Sequence, residues 1–269
     1  MSMGINDSGY YDALLNIADQ AEARKAFTIG VGGAQGSGKS TVAKLLAVVL
    51  DKNFDRNVGI LSLDDFYKTK EERNLMASAI HPLFAVRGVP GTHDMKLMGT
   101  TLRKLRSGEV TKHPRFNKAD DDRLKAWKAI GPADVLILEG WCWGARSQNE
   151  ESLINPLNDL ERNKDKDGVW RRKVNSALDS DDYQHAFDND LQVFLAVPNM
   201  EAVYRWRLQQ EQGLKDGSSI MGEAGIREFI MYYERITRAM LKESPGNADI
   251  TIFLNEAHRI ESIQNKHPI

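Results

Sequence analysis

Residues 27–49 constrain the fold more than any other stretch of this chain. An apolar run, Phe27-Thr28-Ile29-Gly30-Val31, leads into Gly33-Ala34-Gln35-Gly36-Ser37-Gly38-Lys39-Ser40, after which Val42, Leu45, Leu46 and Val49 recur at helical spacing. Strand, glycine-rich loop and helix thus follow in the order that the P-loop pattern G-x-x-x-x-G-K-[ST] requires, with all its fixed positions filled. The glycines let the loop curl, so that backbone N–H groups from Gly33 to Thr41 point inward at phosphate oxygens. The helix presents its partial positive end to the same anion. In this pattern Lys39 reaches the outer phosphates, and Ser40 offers a hydroxyl to Mg²⁺, a hard cation that prefers oxygen ligands. A dinucleotide fingerprint does not fit: begun at Gly30 and Gly32 it demands glycine at position 35, which is Gln35.

Composition narrows the remaining classes. With 269 residues, 41% hydrophobic and 28% charged, the chain can bury the core of one large domain. A net charge of −2 gives no general attraction to nucleic acid or to an acidic membrane surface, so small-molecule partners are expected, with a monomer as the default state. Cys142 is the sole cysteine, which excludes an internal disulfide and any multi-cysteine metal site and fits a reducing compartment. The sequence has no apolar run near the roughly twenty residues that span a bilayer, and no basic-then-apolar leader; a cytoplasmic protein is expected.

Further apolar runs, Val58–Leu63, Val135–Leu138, Leu191–Val197 and Ile250–Leu254, are separated by stretches too long for hairpins. They predict a mainly parallel sheet flanked by helices, a three-layer α/β architecture in which ligands collect at the carboxyl ends of the strands. Tyr10, Leu14, Ile17, Ala18 and Ala21 mark a helix over residues 10–25, capped by Asp7 or Ser8, and Met98, Leu102 and Leu105 mark another over Met95–Ser107 that Gly108 stops. The region about 68–130 reads as an insertion that binds a second substrate, and residues about 200–222 as a lid, within a single domain spanning 1–269. The charged stretch 158–182 reads as a solvated excursion with one helix at most, and Phe229 and Tyr233 as core packing on a helical face.

Two acidic segments end strands: Ser62-Leu63-Asp64-Asp65-Phe66-Tyr67 and Leu138-Glu139-Gly140. Phosphoryl transfer to a hydroxyl needs a group that takes the alcohol's proton and an acid that positions the metal. Asp64 is assigned the first role and Glu139 the second; Asp65 either assists the metal, orients the acceptor or simply closes a turn. In the Gly- and Pro-punctuated loop 87–94, Arg87 suits a carboxylate through its planar fork, with Arg115 as a second candidate. His93 is either a donor to substrate or a structural hydrogen-bonder, and Asp94 stands where it can cap the Met95 helix as well as touch substrate. The basic stretch from Lys112 to Lys128 reads mainly as a solvated face, and Trp141 and Trp143 as either pocket wall or core.

Together the P-loop, Asp64-Asp65-Phe66-Tyr67 and Leu138-Glu139-Gly140 resemble the uridine kinase, phosphoribulokinase and pantothenate kinase group of P-loop kinases, in which an aspartate before a similar aromatic pair serves as base. Within that group the chain is similar to the D-glycerate 3-kinase family. The similarity rests on Arg87-Gly88-Val89-Pro90-Gly91-Thr92-His93-Asp94, Pro114-Arg115-Phe116-Asn117-Lys118, Glu139-Gly140-Trp141 and Tyr204-Arg205-Trp206-Arg207-Leu208-Gln209. Plant members carry Tyr-Asp where Phe116-Asn117 stand here. The resemblance implies an ATP- and Mg²⁺-dependent kinase, with D-glycerate as acceptor, Tyr67, Arg115 and Lys118 near the acceptor or transferred phosphate, and Arg205 or Arg207 brought over the γ-phosphate by the lid. Alternatives are a kinase of a nucleoside or pantothenate-like acceptor, and a nucleotide-hydrolysing regulator. Against a guanine-specific switch, Asn163-Lys164-Asp165-Lys166 lacks the last carboxylate of the usual signature.

Overall fold

A computed structural model describes residues 8–212 and 222–267. Asp7, as a helix cap, and residues 213–221 of the lid expected over about 200–222 lie outside the described residues. Helix α1 (Ser8–Arg24) precedes β1 (Thr28–Gly33), α2 (Lys39–Phe54) and β2 (Val58–Ser62). A 3₁₀ turn, Leu63–Phe66, opens the long connection made of α3 (Lys70–Ala79), α4 (Met95–Arg106), β3 (Thr111–His113), β4 (Phe116–Asn117), β5 (Asp122–Arg123) and β6 (Lys128–Ile130). After β7 (Val135–Gly140) come α5 (Glu150–Ile154), α6 (Asp159–Lys164), α7 (Val169–Leu178) and α8 (Asp181–Phe187). The chain closes with β8 (Leu191–Ala196), α9 (Met200–Gln212), α10 (Glu223–Asn247), β9 (Ile250–Leu254) and β10 (Ile260–Asn265).

Among the described residues, six strands form one sheet in the order β10-β9-β8-β1-β7-β2, parallel except for β10, which runs antiparallel to β9. Both faces are covered, which is why its strands lack polar alternation. Ile29, Val31, Ile137, Val193 and Ile252 pack with Ile17 of α1 and Leu46 of α2, whereas Leu136, Leu138 and Phe194 pack with Met98 of α4 and Met240 of α10. Gly30 and Gly32 are the exception, and sterics explain it. A Cβ at Gly30 would lie 2.6 Å from Trp143 Nε1, and one at Gly32 would fall on the Trp143 carbonyl, so the segment after β7 lies directly against β1. Trp143 is therefore a core residue.

One expectation is corrected here. Residues 158–182 hold α6, α7 and the start of α8, and their charges are built into the fold. Arg171 and Asp165, both almost wholly buried, pair at 3.0 Å, and Arg235 of α10 pairs with the buried Glu161 at 2.6 Å. Asp165 also accepts the backbone N–H groups of Trp170 and Arg171 at the start of α7. Trp170, Val174 and Leu178 do recur at helical spacing in α7, but these helices are ten residues or shorter and their apolar positions are set among charges that in sequence read as solvated. No helix among the described residues is long and apolar enough to cross a membrane.

Candidate active site

Strand register assembles the site. β1 lies mid-sheet, with β7 and β2 to one side and β8 and β9 to the other, the topological reversal at which such sheets bind ligands. Val31 and Ser62 each stand opposite Glu139, so the ends of β1, β2 and β7 meet at one level. Gly36 and Gly38 adopt positive φ (77° and 93°), and Gly38 caps α2. Lys39 Nζ donates to the Ala34 carbonyl at 3.0 Å. Desolvation lowers the Lys39 pKa, opposed by the charges of Glu139 and Asp64. Ser40 Oγ donates to Glu139 Oε1 at 3.1 Å.

The 3₁₀ turn after β2 is anchored by the buried Leu63 and Phe66. Between them Asp64 reaches the cavity: Tyr67 Oη donates to its Oδ1 at 2.8 Å, and Lys118 Nζ lies 2.7 Å from its Oδ2. Burial opposes ionisation of Asp64, but the Lys118 ammonium, the Tyr67 hydroxyl and Lys39 outweigh it and hold the carboxyl at about 2. Asp65 turns elsewhere, accepting the Phe116 N–H at 3.1 Å with Arg115 Nε 3.4 Å away. It thereby ties the β4–β5 hairpin to the sheet.

That hairpin is fixed at two more points. Arg123 donates to the Tyr67 carbonyl at 2.5 Å and to Asp94 at 3.3 Å, while Asp121 pairs with both the buried Arg73 and Arg87. Arg87 lies 5.3 Å from the Phe116 ring centroid and lines the cavity. The loop carrying it is held by Trp141 Nε1, which donates to the Gly88 carbonyl at 2.8 Å, and by Tyr233 Oη, which donates to the Arg87 carbonyl at 3.1 Å. Gly88 has φ 131°, and a Cβ there would fall on the Tyr233 hydroxyl. Gly88→Ala is expected to cost about 2–4 kcal/mol in urea denaturation, from strain and overpacking together.

His93 and Asp94 sit behind the cavity. Asp94 accepts the Leu97 N–H at 3.1 Å and so caps α4. His93 stacks on Tyr67 (4.7 Å between centroids), and its Nδ1 meets Tyr183 Oη at 2.7 Å. Burial pushes His93 down to about 3, so it is neutral in the fold and ordinary once unfolded. Stability linked to it is complete above the unfolded value of about 6.5 and is lost as pH falls toward 3. His93→Gln is expected to reduce the slope of unfolding free energy between pH 6 and 4 by up to about 1.4 kcal/mol per pH unit.

Arg205 and Arg207 of α9 part company. Arg207 lines the cavity, pairs with the buried Glu211, lies 5.4 Å from the Phe229 ring centroid and leaves Nε without a partner. Arg205 pairs with Glu256 and is not among the cavity residues. The resulting cavity, about 160 Å³, brings together Gln35, Gly36, Lys39, Ser40, Asp64, Tyr67, Arg87, Lys118, Glu139 and Arg207. It does not include Asp65, His93, Asp94 or Arg115. Trp141, Gln210, Phe229 and Tyr233 complete its wall. Phe229 and Tyr233 thus correct the core-only expectation: α10 passes close enough to the loop that one face serves both core and cavity. Cys142 is fully buried and burial pushes its thiol up, which removes it as a nucleophile.

The donor set at the P-loop suits Mg²⁺. The Ser40 hydroxyl and Glu139 carboxylate are hard oxygen donors, and no group of three or more His, Cys, Asp or Glu among the described residues could form an all-protein cage. Mg²⁺ characteristically takes one or two protein oxygens and fills the rest of its shell with water and substrate phosphate.

The chain has relatives among known kinases. The sequence model of the phosphoribulokinase / uridine kinase family matches residues 28–161. An uncharacterized kinase of Schizosaccharomyces pombe is 33% identical over 224 residues, 78% of this chain and 79% of that protein. The chloroplastic D-glycerate 3-kinase of Arabidopsis thaliana is 28% identical over 243 residues, 82% of this chain and 50% of that longer protein. The structure of D-glycerate 3-kinase from Cryptococcus neoformans superposes with a TM-score of 0.79 at 23% identity, covering 96% of this chain and 99% of that one. The chain belongs to the phosphoribulokinase / uridine kinase family, and it is a P-loop kinase.

Proposed function

We propose that this kinase moves the γ-phosphoryl group of ATP to a hydroxyl of a small acidic metabolite, with D-glycerate as the acceptor and 3-phosphoglycerate as the product. The observation that carries this reading is the sharing of one cavity by the P-loop residues Lys39 and Ser40, the carboxylate of Asp64, and the cations Arg87 and Lys118. A base next to two cations suits an alcohol that also bears a carboxylate. The 28% identity to the Arabidopsis D-glycerate 3-kinase supports the choice among such acids.

In this reading Lys39 leaves the Ala34 carbonyl for the outer phosphates, and Gln35 to Thr41 offer N–H groups to them. Ser40 and Glu139 would hold Mg²⁺, which supplies positive charge to the phosphate oxygens. Asp64 accepts the acceptor's hydroxyl proton, Arg87 takes its carboxylate, and Arg207 faces the charge that develops on the transferred group. A regulator reading guanine is disfavoured further, since Asp165 of Asn163-Lys164-Asp165-Lys166 is buried against Arg171.

Incubation with ATP, Mg²⁺ and D-glycerate is expected to give ADP and 3-phosphoglycerate in equal amounts, read by coupled assay and mass spectrometry. ADP formation indifferent to glycerate would refute that acceptor.

A further inference from the structure

Lys118 is placed as no fixed binding residue would be. Its hairpin is pinned through Asp65, Arg123 and Asp121, yet its own side chain is 67% exposed and crosses to Asp64 at 2.7 Å. Each carboxylate oxygen of Asp64 thereby has one partner: Oδ1 the Tyr67 hydroxyl, Oδ2 the ammonium. The ammonium stabilises the ionised carboxylate and stands where a hydroxyl would approach Oδ2, so while the pair is closed Asp64 is a weak base for an incoming alcohol. The lysine is long and mobile enough to leave without any movement of the hairpin.

We propose that Lys118 is a lock on the catalytic base that the acceptor's own anionic group releases, which makes an anion on the acceptor a condition of turnover and suppresses transfer to water. This rests on the kinase reading above and adds a positioning and specificity role to it. An acceptor carboxylate arriving beside Arg87 competes with Asp64 for Lys118. Once the ammonium moves to the acceptor, Oδ2 accepts the acceptor's O–H. The proton passes to Asp64 as the new O–P bond forms and the bond bridging the γ and β phosphates breaks, releasing ADP. Water, with no negative charge to offer, leaves the pair closed. The nucleotide phosphates are the other anions in reach, but they already have Lys39 and the loop N–H groups, whereas Lys118 belongs to the hairpin that holds Arg87.

The groups whose charge or hydrogen bonds are coupled to Asp64 are Lys39 from α2, Tyr67, His93, Lys118 from the hairpin, Cys142 after β7 and Tyr233 from α10. Lys39 and Lys118 are the two cations among them. Loss of Lys118 therefore moves Asp64 back up toward the ordinary carboxylate range.

The test compares the parent with Lys118→Met and Lys118→Arg, measuring ADP release with no acceptor, with D-glycerate and with its neutral amide, D-glyceramide, across pH. In the parent, acceptor-free release is expected to be small and glyceramide to add nothing. In Lys118→Met, acceptor-free release should rise about fivefold, and the preference for glycerate over glyceramide should fall about fivefold, the upper end for one exposed ion pair. An acid limb in ADP release, absent from the parent above about pH 4, should appear in the Met variant, and Lys118→Arg should restore the parent's pattern. A Met variant that is merely slower, with the acceptor-free rate and preference unchanged, would overturn the lock. So would a parent whose acceptor-free release already equals that of the Met variant, since nucleotide alone would then open the pair. If neither protein phosphorylates glycerate, the acceptor assignment fails, but the acceptor-free rates and their pH profiles still decide whether Lys118 restrains Asp64.

Discussion

Asp64→Asn is expected to lower turnover by about 10²–10⁴-fold while leaving nucleotide affinity close to that of the parent. The amide keeps the shape of the carboxylate and accepts the Tyr67 hydroxyl through Oδ1, but it cannot take a proton from the acceptor. The P-loop contacts of Lys39 and Ser40 do not run through Asp64, so calorimetric binding of Mg²⁺ and a non-hydrolysable nucleotide should persist. A loss of kcat with nucleotide binding retained separates a base from a structural carboxylate. Turnover equal to the parent's would remove Asp64 from the chemistry.

Replacing Arg207 with glutamine is expected to lower kcat by about 10³-fold, the low end of what an arginine over a transferred phosphoryl group supplies. Arg207 is on the cavity wall with an unpartnered Nε, whereas Arg205 is drawn aside to Glu256. Arg205→Gln should accordingly stay within a few-fold of the parent, because exposed ion pairs contribute little. Since Glu211 is buried and loses its partner in Arg207→Gln, the melting temperature must be read beside the rate. Arg207→Lys keeps the charge and lacks the planar fork, so a large rate loss there at unchanged stability identifies a contact to phosphate. Equal effects at 205 and 207 would contradict the geometry.

The parts of this site that the sequence shows are those made by short, contiguous patterns. A glycine loop between a strand and a helix, and carboxylates at strand ends, follow from local chemistry and from the rule that parallel sheets bind at their carboxyl edges. Between Arg205 and Arg207, two residues apart on one helix, spacing cannot choose; Glu256 and Glu211, far apart in sequence, separate them. Asp65, His93 and Asp94 lie beside the site in sequence but are turned to the hairpin, to Tyr183 and to the start of α4. Polar residues near a site divide between touching the ligand and holding the loops that do. Phe229 and Tyr233 were hidden for the opposite reason, because an aromatic stripe at helical spacing reads as core whether its face meets protein or a cavity. The ion pairs of 158–182 were hidden because paired burial and solvation have the same composition.

The central claim is that the γ-phosphoryl group leaves ATP for the hydroxyl of an acid held at Asp64. Following γ-labelled ATP with Mg²⁺ and D-glycerate tests it most directly, the products being separated by anion-exchange chromatography. The account predicts label in the organic acid, one equivalent per ADP, with the parent and a trace at most with Asp64→Asn. Label recovered only as inorganic phosphate, at a rate that glycerate does not change, would contradict it.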